Sequence, residues 1–310
     1  MKKIRIAIIG CRNMGQKHLK TLRENFADMV EIAGILNSTP ESSKSRAEEL
    51  GVPYFTDIEE INKNNVDAVI VSTPGITHAA IGEKLLLQSI PCLIEKPMAT
   101  TIADCDRLIA AAKKGHGLVA VGHVENYNPA VVMLKKELQA PVVSIKGIRT
   151  SRNSANKTGI SAIQELMIHD LAIVLSLLGN DIKTAQVTKR NDLSFENHAV
   201  VKMKYKNGAE VKLEALREDR EIERYMDIED REGNVFHIDF WECRLLKNGK
   251  VLTCGGYALK NELADFIGCV MSGKSPQVGM FEAKDIVTLC LNLEKEMATN
   301  KMNFNQERSM

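Results

Sequence analysis

Two short stretches of this chain carry side chains able to move a proton, and a third carries a backbone able to hold a phosphate. Lys96 stands between Glu95 and Pro97, directly after the apolar residues Pro91-Cys92-Leu93-Ile94. A lysine at the C-terminal end of a strand in an open α/β sheet lies where ligands collect, and beside an apolar crevice its ammonium becomes a tunable acid or hydrogen-bond donor. Lysines at strand ends are also ordinary solvated surface; the apolar run before Lys96 favours the chemical reading. Glu165 and His169 stand four residues apart in a segment, Ile163 to Leu178, that is otherwise almost all apolar. On a helix that spacing puts both on one face of a largely buried element. An imidazole, with its ordinary pKa of about 6.5, suits proton transfer at neutral pH. The plainer account of the same pair is a core histidine satisfied by a carboxylate. Asp170, about 100° further round, reads as a structural hydrogen-bond partner.

The phosphate candidate is Gly10-Cys11-Arg12-Asn13-Met14-Gly15, between the apolar run IRIAII and the helical pattern MGQKHLKTLREN. A tight turn at the first glycine, close backbone approach, and the free N–H groups of a helix N-terminus together make an anion site. Gly10 and Gly15 meet that requirement, and Arg12 stands where a middle glycine is usual. A carboxylate about 20 residues further on normally binds the adenine ribose and repels a 2′-phosphate. Here the next apolar run ends at Asn37-Ser38. NADP is then not excluded, with Arg12, Lys44 or Arg46 as its positive partner. Alternatively Asn37 bonds the ribose hydroxyls itself, so NAD and NADP both stay open. His18, on the first helix, reads as packing.

The elements that must position these residues follow from the apolar rhythm. IRIAII, VEIAGIL, DAVIVST, PCLIEK and GLVAVG alternate with amphipathic or alanine-rich segments, which predicts βαβ units and a doubly wound parallel sheet, a Rossmann domain over residues 1–121. Beyond residue 140 the pattern changes to alternating strands such as VVSIKGIRT, HAVVKMKYK and AEVKLEALR, punctuated by Asn207-Gly208, Gly233-Asn234 and Asn248-Gly249. Those dipeptides favour tight hairpins. Residues 122–310 are therefore expected to form an α+β domain with a large, mostly antiparallel open sheet, crossed by one apolar helix, SAIQELMIHDLAIVLSLL, and closed by two more. At 310 residues the chain exceeds the size of one ordinary core, and two domains are the natural division.

Composition narrows the function. Lys+Arg 41 against Asp+Glu 40 leaves a formal charge of +1 without a dense basic run, which argues against nucleic-acid and membrane binding and for a small-molecule partner. Cys11, Cys92, Cys105, Cys243, Cys254, Cys269 and Cys290 are scattered, odd in number and never spaced C-x-x-C, so they read as reduced thiols with neither disulfides nor a metal site. The N-terminal apolar run is too short for a signal peptide, and a cytoplasmic location is expected.

Taken in order, GCRNMGQKH, STPGITH, IEKPM, GHVENYNP and ELMIHD resemble the Gfo/Idh/MocA family of sugar-type oxidoreductases over nearly the whole chain. GHVENYNPAV and ELMIHDLAIVLSLLG look most like the branch that oxidises UDP-N-acetylglucosamine at its 3-hydroxyl. The resemblance implies hydride transfer between a sugar carbinol carbon and nicotinamide, with Lys96 and His169 beside the reacting oxygen. It implies that Thr73, Pro74 and His78 line the nicotinamide ribose, with Ser72 also binding the cofactor, that Glu95 helps hold that ribose, and that Pro97 follows a cis peptide aiming Lys96. His123, Asn126, Tyr127 and Asn128 face either nicotinamide or sugar, or pack. In the reading adopted, His169 takes the hydroxyl proton, Glu165 orients the ring or holds a sugar hydroxyl, and Lys96 stabilises the alkoxide; burial of Lys96 would reverse the roles. Arg12, Glu165 and Asn126 depart from the family pattern. Competing functions are an NADPH-dependent reductase of a free sugar or related carbonyl compound and a non-catalytic NAD(P)-binding sensor. The open sheet points to a homodimer or homotetramer.

Coenzyme choice is directly testable. Asn37→Asp should weaken NADP(H) binding selectively by repelling the 2′-phosphate, and an unchanged NADP/NAD preference in fluorescence titrations would remove Asn37 from that position.

Overall fold

The computed structural model describes residues 3–152, 160–218, 221–253 and 255–306, with side chains to residue 297. Cys254 lies outside the described residues; the other six cysteines are free thiols. The chain divides into two compact units. One runs through His123 and takes in Leu259–Lys284; the other is Val124–Ala258 with the chain from Asp285 onward.

The first unit is a parallel sheet of β1 (Ile4–Ile9), β2 (Val30–Leu36), β3 (Ala68–Val71), β4 (Cys92–Glu95) and β5 (Val119–Gly122) in the order β2-β1-β3-β4-β5. Between them run α1 (Asn13–Asn25), α2 (Pro40–Leu50), α3 (Gly75–Leu87) and α4 (Ile102–Gly115). β3, β4 and β5 are buried at every position, as continuous apolar strands covered on both faces must be. Thr39 and Thr101 cap α2 and α4 through their hydroxyls, but no side chain caps α1. Strand order reverses between β1 and β3. At such a switch point the crevice beyond the carboxyl ends of the strands is free to take a ligand.

The second unit is built on an eight-stranded sheet. Its strands are β6 (Val142–Ser151), β7 (Ile182–Thr188), β8 (His198–Tyr205), β9 (Glu210–Arg217), β10 (Arg224–Asp230), β11 (Val235–Asp239), β12 (Arg244–Lys247) and β13 (Lys250–Thr253). They run β13-β12-β11-β10-β6-β9-β8-β7, antiparallel except for the parallel pair β6/β9. The hairpins turn at Asn207-Gly208, Gly233-Asn234 and Asn248-Gly249, as their sequences predict. Ile145, Val201, Leu213, Met226 and Phe236 point to one face, where α5 (Pro129–Glu137) and α6 (Ile168–Leu178) bury Leu134, Leu171 and Ile173 against them. On the opposite face Lys146, Lys212 and Lys202 stand exposed in register across β6, β9 and β8.

One helix departs from expectation. Residues Ile163–Met167 form a π turn before α6, with the Ile168 N–H reaching back to the Ile163 carbonyl. Ser161 Oγ accepts the Gln164 N–H at 3.1 Å, and the Gln164 side chain donates to Glu294. A wider turn holds the segment at its start, so the rotation per residue assumed for a plain α-helix does not apply between Glu165 and His169.

The last stretch also departs from a single division at 121/122. α7 (Ala258–Ser272) and the start of α8 (Met280–Gln306) pack with the first unit as far as Lys284. β5 is an edge strand, and the return segment covers it: Val121 N–H donates to Val278 O at 3.0 Å, and Gly279 bridges Ala120. Lys284 pairs with Asp106 at 2.6 Å. Among the described residues no helix is long and apolar enough to cross a membrane.

A charged cluster lies inside the second unit. Arg149, 3% exposed on the inner face of β6, donates to both oxygens of Asp170 at 2.8–3.1 Å and to Glu125 at 3.0 Å, with its guanidinium 4.8 Å from the Phe240 ring centre. Burial disfavours that positive charge, and the two carboxylates reverse the effect and hold Arg149 protonated. Arg149→Met should therefore cost about 3–5 kcal/mol, because it leaves two enclosed carboxylates without their cation. Urea denaturation measures the loss, and a change under about 1 kcal/mol would mean that water reaches both.

Candidate functional site

In the first unit the cradle begins with two glycines. Gly10 has φ +89°, and a Cβ there would lie 2.7 Å from the Ser72 carbonyl oxygen. A Cβ on Gly15 would lie 2.3 Å from the Gly10 carbonyl oxygen. Only backbone fits in either place, so α1 starts hard against the ends of β1 and β3. The loop is tied down by side chains: Cys11 N–H donates to Asn37 Oδ1 at 2.9 Å, Arg46 Nε to Cys11 O at 3.1 Å, and Ser72 Oγ to Gly10 O at 2.9 Å. Burial pushes the Cys11 thiol up to about 11, which keeps it protonated and unreactive.

A cavity of about 460 Å³ opens at the switch point and brings together Gly10, Arg12, Asn37, Ser38, Ser72, Thr73 and Pro74. Ile58, Thr77, Ile81 and Lys84 also line it, and sequence reasoning singled out none of them. Their apolar carbon suits an adenine face. No acidic side chain lines the cavity among the described residues. Asn13 sits in a second recess of about 440 Å³ that shares Arg12 and Asn37 and adds Arg46 and Glu49. Met14 and Gly15 line neither. These features fit a dinucleotide: an uncapped helix N-terminus for its pyrophosphate and an apolar cavity for its base.

Other residues are tied into the first unit by contacts of their own. His78 is 1% exposed, and its two ring nitrogens lie 2.9 Å from the Pro97 carbonyl and 2.8 Å from the Thr73 carbonyl. It clips the turn after β3 to the turn after β4. Glu95 is buried, and its Oε1 lies 2.8 Å from Nε2 of the enclosed His18, so His18 does more than pack. The Lys96–Pro97 peptide is cis. His123 is 1% exposed, with no hydrogen-bond partner for either ring nitrogen among the described residues. Burial and the charge of Lys96 bring its pKa down to about 3, leaving it uncharged at neutral pH.

In the second unit His169 is half-buried on the first turn of α6, beside the buried Asp170. Glu165 belongs to the π turn; its side chain is 40% exposed and pairs with Arg217 at the end of β9. Arg217 also donates to the Ile160 carbonyl at 3.2 Å. Glu165 is thus held by an arginine on the sheet and is not enclosed as an apolar helix implies. Asn126 and Tyr127 are buried, Asn126 accepting from Lys135 at 3.3 Å, and Asn128 caps α5 through the Ala130 N–H. Arg149, Arg217 and Glu262 went unseen in the sequence. Arg149 carried a signal, since it continues the inward alternation of Ile145 and Gly147. Glu262 carried one too, standing on the apolar face of α7 with Leu259, Leu263 and Phe266.

Residues 4–123 match the GFO_IDH_MocA oxidoreductase family, described as having an NAD-binding Rossmann fold. The chain is 30% identical over 240 residues to UDP-N-acetylglucosamine 3-dehydrogenase of Acidithiobacillus ferrooxidans, covering 75% of this chain and 74% of that protein. It is 28% identical over 200 residues to inositol 2-dehydrogenase 1 of Saccharopolyspora erythraea, covering 62% of this chain and 59% of that one. A solved structure of the Acidithiobacillus enzyme superposes with a TM-score of 0.87 over 96% of this chain and 98% of its own, at 24% identity. GenD2 from gentamicin A biosynthesis, solved in complex with NAD, gives 0.82 over 96% and 95%, at 18% identity. With its phosphate cradle, its parallel first sheet and these likenesses in view, the chain belongs to the Gfo/Idh/MocA family of NAD-binding oxidoreductases.

Proposed function

We propose that the protein oxidises a secondary alcohol of a nucleotide-linked amino sugar, as a UDP-N-acetylglucosamine 3-dehydrogenase does. The observation that carries this reading is the match to that enzyme over 75% of the chain, against 62% for inositol 2-dehydrogenase 1. Nicotinamide, when bound, supplies the hydride acceptor. Gly10, Gly15 and the start of α1 would hold the pyrophosphate of the dinucleotide, and Ser72, Thr73 and Pro74 would line its path. With Asn37 and Ser38 at the end of β2, and no acidic side chain lining the cavity among the described residues, NADP stays open beside NAD.

His169 accepts the hydroxyl proton as hydride leaves carbon, and Lys96 donates a hydrogen bond to the developing alkoxide. Glu165, steadied by Arg217, contacts a sugar hydroxyl or the imidazole. His123, Asn126 and Tyr127 shape the surroundings as neutral, buried groups. Both a proton acceptor and an oxyanion partner are present, which binding alone does not require, and this disfavours a sensor. Oxidation of a free cyclitol is the second reading, supported by the inositol 2-dehydrogenases at 27–29% identity. The exposed face of the eight-stranded sheet suits association with further copies of the chain as a dimer or tetramer.

Coenzyme reduction followed by absorbance across UDP-sugars, free sugars and inositols separates these readings. UDP-N-acetylglucosamine should turn over best; turnover of inositol alone supports the second reading, and turnover of nothing supports the sensor. With the substrate known, Lys96→Met and His169→Asn should each lower kcat by roughly 10²- to 10⁴-fold with coenzyme affinity little changed. Near-normal kcat in either variant would return that residue to a structural role.

A further inference from the structure

The first unit encloses an acid that the proposed reaction does not use, Glu262. It stands on α7, 1% exposed, and neither carboxyl oxygen has a hydrogen-bond partner among the described residues. One atom each of Glu262, Glu95 and His18 lie within 4.8 Å of one another, and all three residues are buried. His18 Nε2 is taken by Glu95 at 2.8 Å, while His18 Nδ1 has no partner among the described residues. Three elements, α1, β4 and α7, thus enclose two carboxyl groups and a single imidazole.

An enclosed carboxylate lacking a donor or cation is far too costly to persist, and two such groups side by side cannot both be charged. The neighbours decide which one ionises. Burial resists ionisation of Glu95, but His18 and the charge of Lys96 hold its pKa below the ordinary carboxylate range. The charges that reach Glu262 among the described residues are those of Glu95 and Asp265, both negative. Burial and those two charges push Glu262 well above the ordinary range.

We propose that Glu262 is a neutral carboxylic acid that shares its proton with the Glu95 carboxylate, so that His18 and Glu262 together clamp the residue preceding Lys96. Glu262 is then a positioning residue. It touches neither substrate nor coenzyme, and it acts by fixing the end of β4 from which Lys96 projects. That last link rests on the catalytic role proposed for Lys96; the proton itself does not.

The sign of the linkage follows. Glu262 binds its proton more tightly in the folded chain than in the unfolded one. Its stabilising contribution is complete below the ordinary value of 4.5 and declines as pH rises toward the raised folded value. Across that window folding takes up one proton, and the folding constant falls about tenfold per pH unit from this group alone.

The test uses the full chain and two variants. Infrared difference spectroscopy of wild type against E262Q at neutral pH should show the carbonyl stretch of a protonated acid in the wild type only. Urea midpoints across neutral pH should fall more steeply in the wild type than in E262Q, by one proton. E262L should lower kcat by roughly 10- to 100-fold, the cost of a small displacement at a reacting centre, with coenzyme affinity unchanged and with E262Q restoring the rate. A missing acid band, equal pH slopes, or a stoichiometric divalent metal in purified wild type that E262Q lacks would each overturn the proposal. The spectral and stability readouts need no substrate. If they hold while E262L keeps full kcat, the clamp on Lys96 is wrong and the buried acid stands.

Discussion

The helix α1 can sit where it does only because Gly15 has no side chain. Its Cα faces the Gly10 carbonyl so closely that a methyl group would lie 2.3 Å from the oxygen. That approach sets the height of the helix above the ends of β1 and β3, and several other arrangements depend on it. It points the first N–H groups of α1 into the crevice at the switch point. It also lowers His18, one turn further along the same face, onto Glu95 at the end of β4. The phosphate cradle and the neighbourhood of Lys96 are therefore placed by one rigid element.

Both units enclose charge, and they neutralise it differently. In the second unit Arg149 serves two carboxylates through the planar fork of its guanidinium, a geometry that a lysine could not reproduce. It anchors Asp170 next to His169, and Arg217 likewise anchors Glu165 across the π turn. Arginine on the sheet thus orients acids on the helix. In the first unit no arginine pairs with the enclosed carboxylates among the described residues, and Glu95 is held instead by the His18 imidazole and the Lys96 backbone N–H.

Much of this was legible before the fold. Continuous apolar runs located the parallel strands within one or two residues, because strands covered on both faces have no room for polar side chains. Asn-Gly and Gly-Asn dipeptides located three hairpins, because those residues accept the backbone of a tight turn. Gly10, Arg12 and Asn37 could be singled out because a strand–loop–helix phosphate site has a local signature, Ser72 came with the family resemblance, and the fold brings the four together around one cavity. The rest is not local. His78 and Glu95 were expected to face a ligand, but their partners, the Thr73 and Pro97 carbonyls and the ring of His18, are apparent only once distant loops meet. The π turn was hidden because its anchor, Glu294, lies far along the chain. The parallel pairing of β6 with β9 has no signature in either strand, since alternation records which face is buried and not the direction of the neighbour.

The first unit is discontinuous in the chain, and this bears on how the protein is made. A ribosome releases residues in order, and N-terminal domains generally fold while the remainder is still being synthesised. Here the five parallel strands emerge early, yet β5 remains an uncovered edge and His18 and Glu95 lack their third companion until Leu259–Lys284 has emerged. Until then the nascent coenzyme domain exposes a bare strand edge to neighbouring chains. The late return of α7 converts a provisional sheet into a finished one, and it ties completion of the coenzyme domain to synthesis of the chain as far as Lys284, well after the whole eight-stranded sheet.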